Sequence, residues 1–214
     1  MTTLPDSEHF SQPWRIHELT ADFRLEDVWA LPTPGGPNGF PLLVEHFAAG
    51  TRSSESSSRL TGILFAIRLK LGELLGWDRE ETGLGGRVTR LSERLPADLR
   101  DGPRGPSLGS LGFVPLYLTE NEFAAEIANK TVHAVMHIGW VPDPDVAGGG
   151  YRGQLAVLVK PNGLTGSVYM AAIKPFRLLL VYPQMLRRIE REWPAARRRG
   201  ELARGAESEP KPLQ

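Results

Sequence analysis

The side chains best suited to chemistry lie in one short stretch, in which Glu122 and Glu126 are followed by His133 and His137. With Asn129-Lys130 as a two-residue hairpin turn, Glu126 faces His133 and Glu122 faces His137 across a strand pair. Alternation then puts all four on one face, with Ala124 and Val135. Three chemistries are open to this quartet. It can form two cross-strand ion pairs on a solvated sheet face, each contributing about 0.2–1 kcal/mol. One histidine can serve as a general base, oriented and kept basic by its glutamate, which makes His133, His137, Glu126 and Glu122 the catalytic candidates. The quartet can also be read as two imidazoles and two carboxylates around a metal, since both types ligate zinc. A closed four-ligand geometry is hard to reach from a flat hairpin, and the spacing is that of a strand rather than a helical His-x-x-x-His, so no metal ligand is assigned.

The opposite face of the same pair is apolar: Phe123, Ala125, Ile127, Val132, Ala134, Met136, Ile138 and Trp140. A three-residue turn at 119–121 adds Phe113 and Tyr117 to it. The profile is that of a surface that binds an apolar molecule and orients it through few hydrogen bonds, from the Tyr117 hydroxyl and the Trp140 indole. The candidate ligand-binding residues are Tyr117, Phe123, Met136, Trp140 and Phe113, with Trp29 and Met170 from neighbouring elements; a filled core is the alternative. The same turn places Val114, Leu116 and Leu118 on the Glu/His face, where they suggest cover by a partner subunit, a homodimer through the outer sheet face.

These residues need elements to hold them. Trp14–Leu19 reads as a first strand and Thr20 or Asp22 to Leu31 as a brief helix stopped by Pro32. Residues 32–41 and Gly50–Arg59 read as loops. Leu60, Ile63, Leu64, Ile67, Leu71, Leu74 and Leu75 recur at helical spacing, with Ser57 or Ser58 to cap the start and Gly76 to end it. Arg87–Ser92 reads as a strand, 95–112 as a long surface connection, and Phe113–Leu118, Glu122–Ala128, Thr131–Val141, Arg152–Lys160 and Thr165–Lys174 as an antiparallel meander, because the gaps are too short for a parallel crossover. Phe176–Trp193 closes the domain as a helix with Leu179, Tyr182, Leu186, Ile189 and Trp193 as its apolar stripe and a kink at Pro183. The organisation expected is a flexible terminus at 1–13, one domain at 14–193 and a disordered tail at 194–214, rich in Arg, Gly, Pro and Glu.

Composition narrows the function. Lys plus Arg and Asp plus Glu both number 25 among 214 residues, so no net field collects nucleic acid. Cysteine is absent, which excludes disulfides, thiol nucleophiles and thiolate-bound zinc. No run of eighteen apolar residues spans a membrane, and the polar, acidic start lacks a secretory signal, so a cytoplasmic protein is expected. The glycine clusters at 83–86 and 148–150 match neither a dinucleotide fingerprint nor a phosphate loop, and no cofactor is assigned.

Two segments, ANKTVHAVMHIGWV and YMAAIKPFRLLLVYPQMLRRIE, resemble the bacterial domain-of-unknown-function family 2867. The order of elements is similar to that of the START-related, birch-pollen-allergen-like superfamily, which includes polyketide cyclases and lipid-transfer proteins. The resemblance covers roughly residues 14–193. It implies an α+β helix-grip fold: a curved antiparallel sheet of about seven strands wrapped on a long C-terminal helix, two short helical segments after the first strand, and a cavity between sheet and helix. The function expected is binding of a small apolar or amphipathic molecule. The alternatives are a small cyclase, dehydratase or isomerase with a Glu-oriented His as base, and a dimerising interaction module.

Overall fold

The computed structural model describes residues 3–52, 89–108, 112–128, 132–145 and 149–208. Among them, five strands form one open antiparallel sheet: β1 (Arg24–Ala30), β2 (Val114–Leu118), β3 (Glu122–Ala128), β4 (Val132–Asp143) and β5 (Gly150–Pro161), in the order β1-β5-β4-β3-β2. The helices are α1 (Asp6–Phe10), α2 (Ile16–Leu19), α3 (Phe40–Arg52), α4 (Ala97–Arg100), α5 (Gly163–Phe176) and α6 (Tyr182–Ser208), with a π-turn at Arg177–Val181 between the last two. The class is α+β with a long C-terminal helix. The amphipathic stretch at 60–75, with its Ser57/Ser58 cap and Gly76 stop, lies outside the described residues.

The meander from β2 to β5 follows the turn chemistry, but several expected elements change type. Arg24–Ala30 is a strand where a helix is expected. A bulge at Glu26 explains the misreading: Leu25 pairs with Leu158, and Asp27 then pairs with Val157, the next residue along β5. The extra residue puts Leu25 and Val28 on one face at a spacing of three, which imitates a helical period. Ile16 and Leu19, also three apart and both buried, belong to α2 rather than to a first strand. Leu91–Glu93 is a single 3₁₀ turn, not part of a strand.

Thr165–Lys174 is helical. Pro161-Asn162-Gly163 starts α5 instead of turning a hairpin, with Gly163 at φ +69°. Met170 and Ile173, three apart, face the sheet end formed by Val132, Ala134 and Val159. The described sheet therefore holds five strands where about seven are expected. Residues 40–52 form α3, so the helix takes in the end of the loop expected at 32–41 and the start of the loop expected at Gly50–Arg59.

The termini are also more structured than their composition suggests. Residues 6–10 form α1 and its His9 is fully buried. The helix expected to stop at Trp193 continues through Pro194 to Ser208. Ala196 is buried, and Gly200 brings the backbone against Leu42 of α3.

Pro183 lies in the first turn of α6, and the irregularity beside it is the wide turn at 177–181. The proline lacks the N–H that would bond the carbonyl of Leu179, and the chain answers with the wider turn at 177–181. That turn advances the stripe by one residue. Leu178 packs against the core with Tyr182, Leu186, Ile189 and Trp193, while Leu179 is 72% exposed.

Two cores result, one on each face of the sheet. Phe123, Met136, Ile138 and Trp140 meet α3 and α6 on one side. Leu116, Ala124, Val135 and Leu158 meet α2, the 91–99 segment and Trp14 on the other.

Candidate functional site

β3 and β4 pair with Glu122 opposite Gly139 and Ala128 opposite His133, two residues from the expected register. A slip of two preserves every face assignment. Glu126 still reaches His133 diagonally (Oε2 to Nε2, 2.8 Å), and Glu122 reaches His137 (Oε2 to Nε2, 3.0 Å). The face they share is not solvated: His133, His137, Glu122 and Glu126 are all at most 2% exposed.

Each buried carboxylate also docks a piece of chain. Glu126 accepts the backbone N–H groups of Leu91 (2.9 Å) and Ser92 (3.1 Å), at the start of the 3₁₀ turn. Glu122 accepts the N–H of Arg15, at the start of α2 (2.9 Å), and the Tyr117 hydroxyl (3.1 Å). The exposed N–H groups of a helix start are natural carboxylate sites. Burial pushes both glutamates up, but the hydrogen bonds from His137, Arg15 and Tyr117 on one, and from His133, Leu91 and Ser92 on the other, hold them below the usual carboxylate range. The Tyr117 hydroxyl is pushed up, first by burial and then by the charge of Glu122.

Two further histidines join the Glu122 pair, and no spacing along the chain points to them. His9 of α1 lies edge-on to His137 (ring centres 5.1 Å apart) and to His17 of α2 (4.9 Å), and Trp14 packs on His137 at 5.2 Å. Gly139 makes room for that indole: a Cβ there would stand 2.5 Å from it. His9 donates from Nδ1 to Gln154 Oε1 (3.2 Å); burial, then the neighbouring His137, lowers its pKa to about 3, so the ring is neutral. Burial and His137 lower His17 as well. His9 Nε2, His17 Nε2, His137 Nδ1 and the Trp14 indole N–H are buried without partners. Among the described residues no three His, Asp or Glu side chains are placed to hold a metal ion.

The candidate ligand residues divide between the faces. Phe123, Met136, Trp140 and Trp29 belong to the core under α6, and Phe113 packs against it. Met170 lies in the adjoining cluster at the sheet end. Tyr117 does not join them. A bulge at Leu116 lets Pro115 and Tyr117 pair with Ala125 and Ala124, which turns Tyr117 to the histidine face and Leu118 to the α6 face. Leu116 is fully buried within its own chain, so of the three residues suggesting a subunit interface only Val114 is exposed. The Trp140 indole, expected as a ligand handle, donates to the carbonyl of Gly36 (3.1 Å).

A group absent from the sequence reading lies under α6. The Glu26 bulge turns two adjacent carboxylates toward the helices. Asp27 Oδ2 accepts the Tyr182 hydroxyl (2.9 Å) and faces Arg177 Nη2 (3.1 Å), which also reaches Glu26 Oε2 (3.4 Å). Arg24 closes the group on Glu26 (2.7 Å). Trp29 stacks at a tilt on Tyr182, 4.9 Å between ring centres. Burial, then the charge of Asp27, raises the Tyr182 hydroxyl and keeps it a donor. Arg177 Nε and Trp29 Nε1 are buried without partners. A β-bulge thus meets a π-turn, two irregularities that often mark functional positions. The available signals were a Glu-Asp pair directly before Val-Trp-Ala and a proline one residue beyond a Leu-Leu-Leu-Val run.

The family model for Protein of unknown function (DUF2867) matches residues 19–184, and the chain belongs to that family. No curated protein and no solved structure matches. Among the described residues no helix is long and apolar enough to cross a membrane.

Proposed function

We propose that this protein is a cytosolic binding protein for a small amphipathic molecule, held between the sheet and the C-terminal helix in the manner of the helix-grip, START-related proteins that its order of elements resembles. The observation that carries this reading is the pair of unpartnered donors, Arg177 Nε and Trp29 Nε1, beside the Asp27–Tyr182 contact, where Trp29 and Tyr182 belong to the apolar cluster under α6. A buried donor left unmade costs about 1–3 kcal/mol, so two in one contacting group favour an occupant that satisfies them. Burial of ligand carbon against Met136, Val157 and Leu178 supplies about 25 cal/mol per Å² before ordering costs.

Native mass spectrometry of the full chain purified from its own cells tests the reading. A bound small molecule released on denaturation supports it; bare protein that also takes up no added amphiphile overturns it.

A second reading is proton transfer by His137, oriented by Glu122. One observation favours it: Nε2 of the ring is held by Glu122 while Nδ1 has no partner. Its substrate would enter beneath α1 and α2, across the sheet from α6.

A further inference from the structure

We infer that the ligand bound beside Arg177 and Trp29 is uncharged and presents a hydrogen-bond acceptor, a carbonyl oxygen on an apolar body. The inference rests on the binding reading above and names its chemical class.

Formal charge in the group cancels: two guanidinium groups, Arg24 and Arg177, face two carboxylates, Glu26 and Asp27. The hydrogen bonding does not cancel. The Tyr182 hydroxyl and an Arg177 nitrogen both reach Asp27 Oδ2, and what remains buried and unmade is a donor on each of two side chains, Arg177 Nε and Trp29 Nε1. A carboxylate ligand would satisfy them but place an uncompensated negative charge beside Asp27 and Glu26, where burial makes it costly. An ammonium would bring donors where donors already lack acceptors. An uncharged carbonyl meets both conditions.

The apolar body has matching surroundings. Trp29, Met136 and Tyr182 belong to one apolar cluster, with Val157 and Leu178 packed against it. At the π-turn itself Phe176, Leu179 and Leu180 are exposed, an apolar collar at the surface beside Arg177.

The experiment titrates the full chain calorimetrically with three probes of equal chain length: 2-undecanone, undecanoate and undecylamine. It repeats the titrations in Trp29→Phe, which keeps a ring and loses the indole N–H, and Arg177→Lys, which keeps the charge on Asp27 and loses Nε. The ketone is expected to bind at least about tenfold tighter than either charged probe, and each substitution to weaken it about three- to tenfold, the worth of one hydrogen bond. If either variant fails to fold, the ranking of the three probes on the unaltered chain still decides. Undecanoate binding as tightly as the ketone overturns this inference and leaves the binding reading standing. Ketone affinity unchanged in both folded variants overturns the placement at Arg177 and Trp29. Failure of all three probes to bind overturns the binding reading and this inference with it.

Discussion

The two faces of the sheet bury charge in opposite ways. On the histidine face, Glu122 and Glu126 are saturated: each accepts from a histidine of β4 and from the backbone at the start of a short helical turn. On the α6 face, Arg24 and Arg177 balance Glu26 and Asp27 in charge but leave donors over. The difference separates two uses of a buried ion. A carboxylate whose lone pairs are taken by its own chain holds that chain in place. Unmade polar atoms occur on both sides, the Trp14 indole N–H and three imidazole nitrogens on the histidine face among them; what sets the α6 group apart is that one of its orphans, Arg177 Nε, belongs to a guanidinium that is always charged.

The largest effect is expected from removing a saturated carboxylate. Glu126→Ala strands the Leu91 and Ser92 N–H groups and His133 together, and is expected to cost about 3–5 kcal/mol, read by urea denaturation. Ketone binding to the folded fraction should be unchanged.

Acid separates the faces next. The pKa of His9 is about 3 in the folded protein against 6.5 unfolded, so the unfolded chain takes the proton first and stability falls as pH drops below about 6.5. For His9 alone the loss between pH 7 and pH 5 is about 2 kcal/mol; His17, also lowered, adds in the same direction. The depressed glutamates contribute stability in full above the ordinary carboxylate range, and that contribution is lost as pH falls from there through their lowered folded values. His9→Phe should flatten the slope between pH 7 and 5, measured by urea midpoints at each pH; an unchanged slope would count against the buried neutral ring.

Smaller changes sharpen the α6 side. Tyr182→Phe removes one buried hydrogen bond to Asp27 and should cost about 1 kcal/mol. Leu179→Ser should alter stability by less than about 0.5 kcal/mol, whereas Leu178→Ser should cost clearly more. That contrast in thermal melts tests the one-residue advance of the stripe at the π-turn.

What the sequence made legible follows from these same residues. The β3–β4 faces could be read because alternation survives a slip of two, so the Glu–His pairs and the Phe123/Met136/Trp140 face were both visible. Tyr117 could not be placed, because one extra residue at Leu116 reverses everything beyond it in β2. β1 looked helical for the same reason: the Glu26 bulge spaces Leu25 and Val28 by three. The burial of the histidine face was hidden because its cover comes from short, distant segments, α1, α2 and 91–99, whose apolar residues are too few to form a pattern. The Asp27–Arg177–Tyr182 group required both irregularities at once, and neither a bulge nor a π-turn has a reliable sequence period.

On the proposed function the ligand sits on the α6 face and not on the histidine face. Two indole N–H groups report on the two faces, since Trp29 Nε1 and Trp14 Nε1 are both buried without partners, one on each side of the sheet. Nitrogen–proton correlation spectra of the indoles, recorded as 2-undecanone is added, decide between them. The Trp29 signal is expected to move with saturation while that of Trp14 stays in place; movement of Trp14 with a stationary Trp29 would put the ligand on the wrong face.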